Sequence, residues 1–222
     1  EKEKCFYPGW NGSAYSSSDI HYTGENHDFT LKGVKAQDRP SSAKWTNYLD
    51  FRQVTVPQYN LRVGYFINDQ YSISLAWDHL KYVANQGQTV RISGNIAEGS
   101  TYDGAYENEP IEINRKFLFF EHTNGLNSAN IEVRRYDEIV KSSVFRMEVI
   151  EGLGFGLLVP RSEVEIVEKI NHDAFHLSGY EVHGLVGLKL GVGRTLFVQS
   201  EFKLGYNNMN DILTTIDSSD RA

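Results

Sequence analysis

Apolar and polar residues alternate with period two through much of this chain, most regularly over residues 175–206, FHLSGYEVHGLVGLKLGVGRTLFVQSEFKLGY. There Tyr180, Val182, Gly184, Val186, Leu188 and Leu190 share one parity, against Glu181, His183 and Lys189. After a break, Leu196, Val198, Ser200, Phe202, Leu204 and Tyr206 oppose Gln199, Glu201 and Lys203. Successive side chains of a strand point to opposite faces, so each run predicts a strand with one apolar and one charged face. Facing residues of an antiparallel pair share a face, which a three-residue loop Val192-Gly193-Arg194 satisfies, with Gly193 suited to positive φ. That register sets Tyr180 opposite Tyr206 and His183 opposite Lys203. Each apolar stripe is about ten residues long, the length of a tilted transmembrane strand.

Read in chain order, residues 1–26 lack sustained periodicity and suggest an irregular lead-in to a single domain over 27–222. Further strands are predicted over 27–35, 54–66, 71–78, 88–94, 111–121, 128–136 and 144–160. Asn68-Asp69-Gln70 and Asn124-Gly125 read as turns, and 36–53, 95–110 and 161–174 as loops. Pro57 sits near a strand start, where its missing N–H is tolerated. Glu151 falls on the apolar face of its strand, which implies a bulge or a place beyond a membrane. The fold class expected is all-β, an antiparallel up-and-down transmembrane β-barrel. Bacterial barrels have even strand numbers, so about ten strands are expected, within a range of about eight to twelve. The polar ending Asp-Arg-Ala is no apolar closing strand, so the last strand is expected to lie outside this sequence.

Composition removes several classes. The 22 basic and 29 acidic residues give a formal charge of −7, and no basic block exceeds two residues, so no nucleic-acid partner is indicated. No apolar run reaches the ~18 residues of a membrane helix, which leaves strands as the only spanning elements on offer. Cys5 is the single cysteine, so neither an intrachain disulfide nor a cysteine metal centre can form.

Alternation alone does not say which face points inward, because a soluble lipocalin-like barrel shows the same pattern. Three features favour the membrane. The polar face carries both signs of charge, at Arg62, Asp78, Arg91, Glu132, Arg134, Arg146, Glu148, Glu181, His183, Lys189, Glu201 and Lys203, a mixture able to neutralise itself inside a narrow lumen. Tyr59, Tyr65, Tyr71, Trp77, Tyr180 and Tyr206 lie near strand ends, where an interfacial aromatic girdle belongs. Short turns at 67–70 and 192–194 contrast with long loops elsewhere, as periplasmic turns do with extracellular loops.

The segments ENHDFTLKGVKAQDR (25–39), PQYNLRVGYFINDQYSISLAWDHLKYVANQGQTVRISGNI (57–96), FEHTNGLNSANIEVRRYD (120–137) and HDAFHLSGYEVHGLVGLKL (172–190) resemble a family of outer-membrane β-barrel proteins of Bacteroidetes-type Gram-negative bacteria. DHLKYV and HDFTLKGVKAQDR are the most distinctive pieces. The resemblance implies location in the bacterial outer membrane and a barrel that continues past the last residue here. It brings no settled activity and no site residues. The expected role is a non-enzymatic integral barrel, structural or a subunit or scaffold of a larger cell-envelope complex. Its partners would be outer-membrane lipids and other envelope proteins, and no cofactor is implied.

Two alternatives have residues behind them. His176 and Ser178 form an H-x-S spacing similar to that of outer-membrane lipid A deacylases, which need a base, an acid and an oxyanion hole at the lipid-facing surface. Here Gly179 replaces the Asn that commonly follows, and no acid stands at the expected downstream spacing. Glu181, His183, Glu201 and Lys203 could line a narrow pore or uptake path, while a salt-bridged plug is the simpler reading. Asp78-His79, Glu121-His122 and His172-Asp173 hold metal-ligand types, but neighbours on a strand point to opposite faces, so no metal is assigned. No phosphate loop, dinucleotide fingerprint or nucleophile elbow is present. The acidic stretch 98–110 lacks EF-hand spacing and reads as a surface loop.

Overall fold

A computed structural model describes residues 4–42, 58–167, 169, 174–193 and 195–222. These form thirteen strands and no helix: β1 (Lys4–Trp10), β2 (Ser18–Thr23), β3 (His27–Val34), β4 (Ala36–Gln37), β5 (Tyr59–Phe66), β6 (Tyr71–Ala84), β7 (Thr89–Ile96), β8 (Gly104–Glu112), β9 (Leu118–Lys141), β10 (Phe145–Leu158), β11 (Glu163–Ile166), β12 (Gly179–Val192) and β13 (Leu196–Met209). They build two sheets. The larger runs β1-β5-β6-β9-β10-β12-β13, all antiparallel, and curls into a half-barrel; β4 adds to β6 and β11 to β9. The smaller runs β2-β3-β7-β8.

The all-β antiparallel class stands, but the arrangement is not one barrel of about ten strands. Strands 27–35 and 88–94, expected in the barrel wall, are β3 and β7 of the second sheet, and Arg91 is exposed there. The supposed lead-in contains β1 and β2, and the loops at 95–110 and 161–174 contain β8 and β11. Asn124-Gly125 makes no turn, because β9 runs unbroken past it. Leu80 pairs with Leu126 and Tyr82 with His122, so residues 123–125 bulge opposite Lys81, with Gly125 at φ +122°. A glycine at positive φ serves a bulge as readily as a turn. Pro57, Arg194, His172 and Asp173 lie outside the described residues, as does 43–53 of the expected loop.

The long hairpin has the expected faces in a different register. Tyr180 pairs with Asn208, Val182 with Tyr206 and His183 with Gly205, because Val192 pairs with Leu196 and the loop is 193–195. The shift is two residues, so every side chain keeps its face. Gly193 does take positive φ, at +64°.

The larger apolar core lies at one end, and a small cluster of Tyr136, Ile150 and Leu185 sits inside the half-barrel. At that end the second sheet packs on the upper parts of β6 and β9, on β11 and on the hairpin around Ile212, enclosing Tyr22, Phe29, Leu31, Ile92, Phe117, Phe120, Leu126 and Ile166. Tyr22 stacks on Phe29 with ring centroids 5.2 Å apart. This end is termed the upper module, and the short turns at 67–70, 142–144 and 193–195 mark the opposite end. Between them the half-barrel is reversed. Val63, Leu75, Val133, Leu153, Val186, Leu188, Val198 and Leu204 are exposed on its convex face, while charged side chains are buried on its concave face.

Candidate functional site

Inward positions on β5, β6, β9, β12 and β13 supply one connected charge network. Glu132 is its hub. It accepts from Arg134 Nε at 2.6 Å, Arg62 Nη1 at 2.7 Å, Lys203 Nζ at 2.9 Å and His183 Nε2 at 2.9 Å. Arg134 also makes a two-pronged contact with Glu201, at 2.6 and 3.0 Å, and donates to the Tyr7 hydroxyl at 2.9 Å. Lys203 bridges to Asp78 at 2.9 Å, Asn130 donates to Asp78 at 3.0 Å, and Ser128 donates to Glu181 at 2.6 Å. The sequence placed Arg62, Asp78, Glu132, Arg134, Glu181, His183, Glu201 and Lys203 on one face, and the fold joins them through these bonds.

The room for this network comes from β10, whose inward positions include Gly154 and Gly156. A Cβ at Gly154 would overlap the His183 ring and Glu132, and one at Gly156 would lie 2.6 Å from Ser128 Oγ. Both nitrogens of His183 face carboxylates, Nε2 to Glu132 and Nδ1 to Glu181 at 3.3 Å. A neutral imidazole donates from one nitrogen only, so both contacts are satisfied by the imidazolium alone. In that state Arg62, Arg134, Lys203 and His183 balance Asp78, Glu132, Glu181 and Glu201. Buried charges need such pairing, since an isolated one costs several kcal/mol or more.

Arg146, Glu148 and Lys189 form a second group nearer the short turns. Lys189 Nζ lies 3.1 Å from Glu148 and 5.0–5.8 Å from the rings of Phe66, Tyr136 and Phe197. Arg146 reaches Glu148 at 3.8 Å. Glu151 faces outward without a bulge at its own position, since the register shift lies between Met147 and Glu148. It pairs across the strands with Arg135, whose guanidinium binds Asp137 at 2.9 Å.

The aromatic residues fall at two levels of the convex face. Tyr65 and Tyr71 flank the short turn at 67–70, while Tyr59, Trp77, Tyr180 and Tyr206 lie toward the upper module. Trp10, hidden in what reads as a lead-in, joins the upper level opposite Tyr59.

The side chains of His176 and Ser178 are not bonded to each other. His176 Nε2 is 2.8 Å from Asp211, and Asp211 receives Arg221 Nε at 2.6 Å. The His176 hydrogen bond, helped by Arg221, lowers the Asp211 carboxyl below its ordinary range. Ser178, however, is buried and its hydroxyl is directed at the His176 carbonyl, 3.4 Å away. Asp78 and His79 point to opposite faces as strand geometry requires, Asp78 into the network and His79 onto the Tyr59 ring. Glu121 pairs with Arg39 at 2.9 Å while His122 enters the module core. Among the described residues no group of three or more His, Cys, Asp or Glu side chains could hold a metal ion.

Compared with family models, curated proteins and solved structures, the chain matches none of them.

Two sets of contacts in the upper module had no signal in the sequence. Ser162 Oγ lies 3.0 Å from His122 Nδ1, inside the core, and burial pushes the His122 imidazole down to about 3. Lys169 bridges Glu98 at 3.2 Å and Asp220 at 2.5 Å, and His27 meets Glu98 at 2.6 Å. Burial lowers the Lys169 ammonium, but the two carboxylates outweigh it and hold it above its ordinary value. Both sets join residues more than 35 positions apart, beyond any local pattern.

Proposed function

We propose that this protein is an integral β-barrel of the bacterial outer membrane whose interior is filled by its own ion pairs, and that it serves as a structural subunit or scaffold of the cell envelope rather than as an enzyme or open pore. One observation carries the reading: over the half-barrel the polarity is inverted, with Leu153, Val198 and Leu204 about three-quarters exposed on the convex face and Arg134 and Glu132 essentially inaccessible on the concave one. In water that arrangement is unfavourable twice over, exposing apolar surface at roughly 25 cal/mol per Å² and burying charge. In a bilayer the convex face is solvated by lipid, and the ion pairs fill a small lumen. The two aromatic levels suit the two membrane interfaces. Short turns on one side and a folded module on the other suit periplasmic and outer faces.

The enzymatic alternative is weakened by the buried Ser178 hydroxyl, and the pore alternative by the connected ion pairs across the concave face. The test is reconstitution into liposomes, followed by flotation, protease digestion and conductance measurement. The expected result is co-flotation, protection of β5, β6, β9, β10, β12 and β13, cleavage confined to the upper module, and no unitary conductance. A protein that stays in the aqueous fraction without detergent would sink the membrane reading, and steady ion currents would replace the plug with a pore.

A further inference from the structure

Glu151 is the one charged residue on the outward side of β10. Phe145, Met147 and Val149 flank it toward the short turn and Leu153, Phe155 and Leu157 toward the upper module, so it stands at the middle of an otherwise apolar row. Beside it on β12 the outward residues Val182, Val186, Leu188 and Leu190 carry the apolar band past the same level, with Val186 paired to Glu151. Glu151 therefore lies within the band and not beyond it. Strands of a barrel wall tilt, so a register row climbs from one strand to the next. The row that leaves the short turn at Tyr71 crosses Arg135 and reaches Glu151 six residues along β10 from Phe145.

On its other side, Arg135 of β9 is the direct cross-strand neighbour of Glu151, and Asp137 is the next outward residue of β9. Arg135 turns to Asp137, bonding it through Nε at 3.2 Å and Nη2 at 2.9 Å, and leaves Nη1 unused. The Glu151 side chain has no hydrogen bond or ion pair among the described residues. The imbalance does not depend on rotamers. The island holds two carboxylates and one guanidinium, and turning Arg135 back to Glu151 would leave Asp137 with only the Gln70 amide, 3.4 Å away. Ionisable side chains that face hydrocarbon are costly, and they mark contacts with a partner. The Arg135 and Asp137 side chains are 47% and 34% accessible, so a partner can reach them.

Resting on the membrane reading, we propose that Glu151, Arg135 and Asp137 form a lateral interface within the membrane, and that its occupant is a second copy of this chain, each copy's Glu151 binding the partner's Arg135. Two observations single out a second copy. The first is depth. Copies inserted in the same sense are related by rotation about the membrane normal, which leaves depth unchanged, and a two-fold interface is self-complementary. Glu151 and Arg135 face each other across β10 and β9, with Cβ atoms of such pairs about 5 Å apart, so a two-fold axis passing between them assembles both reciprocal pairs at once. The second is charge. The island offers an unmatched carboxylate and a guanidinium with an unused nitrogen, and is therefore complementary to itself. A guanidinium that serves two carboxylates is already present inside this protein, where Arg134 binds both Glu132 and Glu201. At the interface Arg135 holds its own Asp137 and the partner's Glu151 in the same way. Acyl chains have no donor to give Glu151, so lipid alone leaves the carboxylate bare.

Charge reversal tests this in liposomes, read as energy transfer between donor-labelled and acceptor-labelled copies over a series of protein-to-lipid ratios. Flotation comes first and confirms that each protein has entered the bilayer. The parent should associate with a measurable midpoint. Glu151→Arg sets two cations against each other across the interface, and Arg135→Glu sets two carboxylates against each other, so each variant alone should shift the midpoint by about tenfold or more toward weaker association. Mixed, the two variants are complementary, and energy transfer between donor-labelled Glu151→Arg and acceptor-labelled Arg135→Glu should return to within about threefold of the parent midpoint. Recovery of that kind cannot arise inside one copy, because each copy still carries its own single change. Glu151→Gln keeps the shape and removes the charge, and should weaken association by about threefold or more even where a reversal variant fails to insert. A parent that floats with the liposomes yet shows no energy transfer at any ratio would mean that another protein or none covers the island, and would overturn the proposal. So would a Glu151→Gln variant that associates like the parent, or inserted reversal variants that stay apart when mixed. A parent that does not float would instead refute the membrane reading, and the interface with it.

Discussion

The two ends of β9 face opposite demands on the same side of one strand. Even positions point inward on both sides of the junction, as Leu118, Phe120, His122 and Leu126 in the upper module and as Ser128, Asn130, Glu132, Arg134 and Tyr136 in the half-barrel. The period does not change at the junction; the chemistry does. In the module, apolar side chains collect inside and polar ones outside, the order water imposes. In the half-barrel the outward positions Ile131 and Val133 are half exposed and the inward ones are polar, with Glu132 and Arg134 joined as an ion pair. β6 repeats the change, from Ser72, Ser74 and Asp78 to Tyr82 and Ala84. One sheet thus passes from an apolar interior to a polar, charged one, and the bulge at residues 123–125 opposite Lys81 marks the passage. The stability of the two ends should accordingly rest on different interactions.

The sharpest way to break that comparison is to remove the hub. Glu132→Ala leaves Arg62, Arg134, Lys203 and His183 facing one another without their common acceptor, and loss of one partner from a buried ion cluster typically costs about 3–5 kcal/mol. Unfolding in urea in the presence of detergent or lipid should show a loss of that order, with the amides of the module core retaining exchange protection longer than those of the half-barrel. Next in size is Leu153→Arg on the convex face. If lipid faces this position, an arginine near the midplane costs about 2–4 kcal/mol in a bilayer. An exposed Leu153 in water would instead tolerate the charge with no loss, so equal stability of variant and parent in liposomes would remove the membrane from the explanation.

How much of this could be read in advance depends on what each residue reports. Parity is local, so the charged face and the apolar face of β5, β6, β9, β10, β12 and β13 were legible, and a register error of two residues in the β12–β13 hairpin left each side chain on its proper face. Membership of a sheet is not local. β3 and β7 alternate as regularly as β5 and β6, yet belong to the second sheet of the upper module, and nothing in HDFTLKGV distinguishes the two. β8 escaped notice because Glu107, Glu109 and Pro110 suit an edge strand and a loop alike. β1 was hidden by Pro8 and Gly9, residues that weaken a strand pattern but are accommodated at an edge. The network residues were legible as a set, but their bonds were not. That Gly154 and Gly156 make room for the His183 ring depends on β10 lying beside β12, which only the fold decides.

A titration separates the ends more gently. His122 is buried against Phe120 and Tyr82 with its Nε2 unpartnered, and burial depresses its imidazole from about 6.5 to about 3. The unfolded chain protonates this residue below about pH 6.5 while the folded chain resists until about pH 3. The unfolded state then binds more protons, so stability present above pH 6.5 is lost as pH falls through that window, with a slope approaching about 1.4 kcal/mol per pH unit from this group. Subtracting the pH profile of His122→Gln from that of the parent isolates the contribution. A difference that is flat between pH 6 and 4 would show that water reaches the ring.

The smallest effect is expected where the geometry looks equally good. Arg115 and Glu165 on the module surface form a two-pronged pair at 2.6 and 3.1 Å, nearly the same contact as Arg134 and Glu201 at 2.6 and 3.0 Å. What differs is the surroundings: the Arg115 side chain is 63% accessible, whereas that of Arg134 is fully covered. Water screens the first pair and already solvates each partner when it breaks. The second has no such alternative, and its loss strands Glu201 beside Glu132. Arg115→Ala should therefore leave the unfolding midpoint where it was, while Arg134→Ala should lower it by an amount comparable with Glu132→Ala. Equal shifts from the two arginine variants would mean that water enters the concave face of the half-barrel as freely as it bathes the module, and that the network is held by geometry rather than by exclusion from solvent.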